Sequence, residues 1–180
     1  MNNITNNKII ENLRNNKFIP SKDWNILISF ILKRMGINSS KIDIHIVSAS
    51  DMKKKRNFPR NYIGGSILKS EDPSLKKDEI WINNKLSAGQ IVRVFGHELG
   101  HIVTKEGSVK KFGRLIAESS AFSIDKRFVK IFNELYNTHV TEKDPCHGSN
   151  KKEKEIYCSA WEKSFSIIPV IKKEYKNFDY

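Results

Sequence analysis

Apolar positions along this 180-residue chain fall into helical and strand periods in turn. Starting at Ser21 as N-cap, Trp24, Ile28, Ile31, Leu32 and Met35 recur at helical spacing, and Gly36 closes the run. Lys41–Val47 alternates instead, with Ile42, Ile44 and Ile46 on one side and Asp43 and His45 on the other. That is a half-buried strand with His45 toward solvent. Asp51–Asn61 shows no period and carries Lys53, Lys54, Lys55 and Arg56. It reads as a solvated basic loop, with phosphate contact as the functional alternative. Tyr62–Leu68 and Glu79–Asn83 read as two further strands, separated by a turn around Pro73. Gly64-Gly65 marks a bulge or a close approach of backbone.

The second half is helical. Ser87 and Gln90 form a capping-box pair, after which Ile91, Val94, Phe95, Leu99, Ile102 and Val103 keep one apolar face. Gly96 and Gly100 interrupt that helix at a cost of about 1 kcal/mol each relative to alanine, a cost tolerated where another backbone passes closely. A long helix over about 109–136 follows, with a bend expected near Asp125, and then a polar loop over 137–150. Lys151–Ile167 is a last helix whose core face is Ile156, Ala160, Trp161, Phe165 and Ile168. It stops at Pro169, and residues 171–180 are expected to be helical or frayed. The expected fold is α+β: a small mixed or antiparallel sheet of about three strands, then a helical half. The length suits a single domain over 1–180, with 1–20 as a helical or flexible extension.

His97-Glu98-Leu99-Gly100-His101 lies inside the capped apolar helix. Two histidines four residues apart share one helix face, so both imidazoles can reach one metal ion. Glu98 is placed to take a proton from an activated water rather than to ligate, and Zn²⁺ is the metal that this arrangement suits. A catalytic zinc keeps a position open and needs a third protein ligand. Glu118, seventeen residues beyond His101, is the best candidate, and Glu155 is the alternative. Asp125, two turns past Glu118, could accept from a ligand histidine, but Asp125-Lys126-Arg127 reads better as an exposed face. Tyr157, His139 and His147 are candidate oxyanion donors, with ordinary packing or exposure as the plainer reading.

The run Asp78–Asn84, then Arg93-Val-Phe-Gly-His-Glu-Leu-Gly-His101, and later Glu118-Ser-Ser-Ala-Phe122 resembles the ImmA/IrrE-type metallopeptidases, of the gluzincin kind. The resemblance implies a zincin-like fold and Glu118 as the third ligand. It also implies limited cleavage of one protein, such as a regulator. Ser120 stands where that pattern has a second acidic residue, and the interval from His101 to Glu118 is short for it.

Lysine and arginine number 32 against 20 acidic residues, a formal charge of +12. This favours acidic partners, nucleic acid among them, beside the protein or peptide substrate of a peptidase. The first residues have no apolar core of a secretory signal, and no run reaches the length of a membrane span. A cytoplasmic location is therefore expected, with signal-independent secretion as the alternative. Cys146 and Cys158 fit no metal spacing and are expected as free thiols; a disulfide requires an oxidising compartment. The expected function is a zinc-dependent metalloprotease. The alternatives are a secreted or injected zinc-protease effector acting on a foreign protein, and a non-enzymatic nucleic-acid-associated module with a zinc-stabilised fold.

Overall fold

Strands β1 (Ile42–Val47), β2 (Gly64–Ile67) and β3 (Asp78–Asn83) form a mixed sheet in the order β1-β3-β2. The coordinates are a computed structural model that describes residues 3–15, 19–59, 61–105, 113–141 and 151–177. β1 runs parallel to β3, pairing Ile44 with Ile80. β2 runs antiparallel to β3, pairing Gly65 with Trp81. The helices are α1 (Asn3–Arg14), α2 (Ser21–Arg34), α3 (Ala49–Arg56), α4 (Ala88–Thr104), α5 (Arg114–Tyr136) and α6 (Lys151–Lys163). The expected α+β class with a small mixed sheet is what the chain adopts; α1 and α2 precede the sheet, and α4 to α6 form the helical half after it.

Strand alternation divides the sheet into two faces. Ile42 and Ile46 of β1 and Ile80 and Ile82 of β3 join the core with Trp24, Leu27, Ile28, Ile31 and Leu32 of α2. Phe95, Leu99, Ile102 and Val103 of α4 and Phe128 and Phe132 of α5 complete it. Each such side chain contributes about 1.5–3 kcal/mol on leaving water, so this shared core fixes α4 against the sheet. The opposite face carries a polar cluster under α3. Arg56 donates to both oxygens of Glu79 at 2.7 and 2.6 Å, and the Trp81 indole N–H donates to Glu79 at 2.7 Å. His45 stacks on Trp81 with ring centroids 4.0 Å apart. It is thus half-buried rather than solvent-facing, and burial pushes its imidazole down from the ordinary value.

Several sequence expectations are corrected. The basic stretch expected as a loop is helix α3, capped by the Ser48 hydroxyl accepting from Asp51 N–H and anchored by Met52, 1% exposed. One buried residue among lysines gives no period to read. Pro20, not Ser21, is the N-cap of α2, and the Ser21 hydroxyl instead donates to Ile46 O at 2.6 Å. Helix α5 runs unbroken through Asp125; the residues before Gly113 in the expected helix lie outside the described set. Phe165 and Ile168, expected in the core, are 69% and 87% exposed, because α6 stops at Lys163. The C-terminal segment, expected to be helical or frayed, is helical only as a 3₁₀ turn at Lys173–Tyr175 and is tied down on both sides of it: Ile37 bridges Lys176, and Lys172 N–H donates to Val103 O at 2.9 Å. Cys158 is disulfide-bonded rather than a free thiol; the other cysteine in the sequence, Cys146, lies outside the described residues.

Glu79 yields a testable consequence. Burial alone would raise its carboxyl, but the Arg56 and Trp81 hydrogen bonds outweigh this and hold it below the ordinary value. A depressed carboxylate stabilises the fold above its unfolded pKa and loses that contribution as pH falls through the folded one. Glu79→Gln, which also strands Arg56, should cost about 2–3 kcal/mol at pH 7. Urea denaturation should show the gap to wild type narrowing as pH falls below about 4.

Candidate metal centre

Helix α4 begins as its sequence dictates: the Ser87 hydroxyl accepts from Gln90 N–H and the Gln90 side chain accepts from Ser87 N–H. From that start, ten residues place His97 and fourteen place His101 on one face. Helix α5 runs antiparallel to α4 and unusually close. A Cβ on Gly100 would lie 2.5 Å from the Ala121 Cα, and one on Gly96 would lie 2.8 Å from Asp125 Oδ1. Glycine at these two positions lets α5 approach until Glu118 faces the histidine pair.

The Nε2 atoms of His97 and His101 are 3.2 Å apart. Glu118 Oε2 lies 3.1 Å from His97 Nε2 and 3.7 Å from His101 Nε2. Four ligands arranged tetrahedrally at ~2.0–2.1 Å from a metal are separated by about 3.3–3.4 Å. The three atoms therefore have the spacing of three corners around one ion, and this group could bind a metal ion. Glu118 is 7% exposed, and its Oε2 has no hydrogen-bond partner among the described residues. A buried carboxylate oxygen directed only at two imidazoles is a group that a cation would satisfy. Both Nδ1 atoms are buried without an acceptor among the described residues, so no outer carboxylate there orients either ring. Packing does this instead: the His97 ring meets His101 edge-on at 4.8 Å and Phe122 at 4.6 Å.

Electrostatics agrees with the geometry. Burial pushes His97 down, but Glu118, Glu98 and Asp125 together outweigh it and hold the imidazole above its ordinary value. His101 is pushed down by burial and by the neighbouring His97 charge. Burial raises Glu118, yet the two histidines and Arg114 bring it below the ordinary carboxylate range. A proton on His97 and a metal ion at this group would therefore compete.

Glu98 stands beside this cluster without joining it. Its Oε2 accepts from the Ser66 hydroxyl at 2.8 Å. Ser66 is on β2, whose outer edge pairs with no strand among the described residues. Asn83 N–H donates to Ile63 O at 3.0 Å, so by antiparallel alternation the backbone of Gly64 and Ser66 points to the free edge. On the other flank, Arg114 lies 3.7 Å from Glu118 Oε1 and donates to the Tyr157 hydroxyl at 3.2 Å. Burial raises the Tyr157 hydroxyl above its ordinary value, and Glu118 adds to this. Tyr157 therefore remains a proton donor near the cluster.

Of the residues expected here, His97, Glu98, His101, Glu118 and Tyr157 come together. Glu155 is exposed and outside the cluster, and His139 lies at the other end of α4; His147 lies outside the described residues. Asp125 is buried at 2% exposure, 3.6 Å from Arg93, which overturns the exposed-face reading. No hydrogen bond reaches it from His97 Nδ1. Ser66 and Arg114 were not singled out in the sequence. Arg114 could have been, since it precedes Glu118 by one helical turn. Ser66 depends on strand register, which no local pattern shows.

Two outcomes are expected. Gly100→Ala should destabilise the protein by about 1–3 kcal/mol and weaken metal binding, because α5 must retreat from the histidines; thermal unfolding and metal titration would show both. Because the raised His97 proton competes with the metal, apparent metal affinity should fall about tenfold per pH unit below the His97 pKa, which lies above the ordinary 6.5. Calorimetric titration across pH 5–8 checks this.

No family model matches the chain, and comparisons with curated proteins and with solved structures give no match either.

Proposed function

We propose that the protein is a zinc metallopeptidase in which His97, His101 and Glu118 hold the metal and Glu98 is the general base. The observation that supports this most is the separate placement of Glu98: a carboxylate fixed by Ser66 beside, but not within, a three-residue ligand group. A structural zinc site would be closed by four protein ligands, whereas three leave a position for water or substrate. Zinc held there would supply Lewis acidity, activating water and polarising a carbonyl.

The remaining steps fall to side chains and backbone. Glu98 takes the proton of the attacking water and returns it to the leaving amine. Tyr157, with Arg114 behind it, donates to the oxyanion that develops on the carbonyl. The free edge at Gly64 and Ser66 pairs with an extended peptide, which makes the substrate a protein segment rather than a small molecule. The resemblance to ImmA/IrrE-type enzymes narrows this to limited cleavage of a specific protein such as a regulator.

One observation favours a second reading. A disulfide at Cys158 is a bond that persists in oxidising compartments. It supports a zinc-protease effector that acts outside a reducing cytosol on a foreign protein. No helix among the described residues is long and apolar enough to cross a membrane.

Zinc-loaded wild type and Glu98→Gln should be incubated with denatured cellular proteins, and new N-termini identified by mass spectrometry. Wild type should generate new termini, and Glu98→Gln should lose at least ~10²-fold in rate while keeping its zinc. Equal cleavage by both proteins, or none by wild type, would contradict the assignment.

A further inference from the structure

A second concavity lies at the opposite end of the α4–α5 pair, where α4 begins and α5 ends. Its volume is about 700 Å³, within the range of small-molecule sites. Arg14, Arg93 and His139 line it with Ser87, Gln90 and Thr138, and no aspartate or glutamate among the described residues does.

Neither arginine is used up by its present contacts. Arg14 donates through Nε and Nη2 to Tyr136 O at 3.2 and 3.0 Å, which holds the guanidinium still and leaves Nη1. It pairs with no carboxylate among the described residues. Arg93 lies 3.6 Å from Asp125 through one terminal nitrogen, and its Nε–H is buried with no acceptor. The Arg93 side chain lines the cavity and keeps 20% of its surface exposed, so its charge faces an oxyanion held there. The His139 ring and the hydroxyl and amide groups supply further donors.

We infer that this cavity binds a small molecule bearing a phosphate group, gripped by Arg14, Arg93 and His139. Fixed guanidinium forks suit the tetrahedral oxyanion. The +12 charge of the chain raises the local concentration of such anions. The cavity is distinct from the metal group: Arg93 stands one helical turn before His97, and the Arg93–Asp125 pair lies between them.

The test is a titration of the isotope-labelled full-length protein with inorganic phosphate at fixed ionic strength, followed by amide chemical shifts. Succinate serves as the carboxylate arm. Arg93 is left intact because its loss would remove a charge partner from buried Asp125; the exposed Arg14 and His139 are changed instead. Saturable shifts at Gly89, Arg93 and Val140 are expected, with phosphate affinity at least about tenfold weaker in Arg14→Ala and in His139→Ala. Shifts that never saturate, or that persist unchanged in both variants, would overturn the site. Tighter binding of succinate than of phosphate would overturn the ligand class.

Discussion

The close contact of α4 with α5 at Gly100 and Ala121 is the constraint on which the site depends. A helix can place two histidines on one face by its own period, but a third ligand must arrive from elsewhere. At this contact a methyl group on Gly100 would overlap the Ala121 backbone, so the two helices sit closer than side chains ordinarily permit. Glu118, one turn before Ala121, is thereby brought within 3.1 Å of His97. The cost of glycine in the helix interior is offset by core burial on either side, where Phe95 and Phe128 pack with centroids 5.0 Å apart.

Charge follows from the same packing. Glu98, Glu118 and Asp125 surround two imidazoles, and Arg93 and Arg114 stand at the two ends of the row. The centre therefore favours a cation, although the protein as a whole is strongly basic. The sheet contributes the remaining part: β2, short and glycine-rich, lies so close to α4 that a Cβ on Gly64 would overlap a Val94 methyl. That closeness lets the Ser66 hydroxyl reach Glu98. The three residues that could hold a metal ion thus come from two helices, and the hydroxyl bonded to Glu98 comes from the sheet.

What was legible in the sequence was local. The Ser87–Gln90 cap, the period from Ile91 to Val103 and the His97–His101 spacing all act over one or two turns, and all three are realised. Glu118 was readable because Gly100 hints at a close neighbour and the interval allows an antiparallel helix. Contacts set by distant partners were not readable. α3 has one core residue, Met52, and owes its position to Arg56 reaching Glu79. Asp125 looks exposed among charged neighbours, yet Gly96 leaves room for it to be buried against Arg93. The C-terminal segment is held by Gly36, Ile37 and Val103, all of them far away in the chain.

The central claim is that three side chains, and not a fourth, hold one metal ion. The most direct measurement is the metal content of purified wild type, His101→Ala and Glu118→Ala after supply of zinc. The account predicts one zinc per chain in wild type and loss or marked weakening in both variants. No zinc in wild type, or full retention in Glu118→Ala, would contradict it.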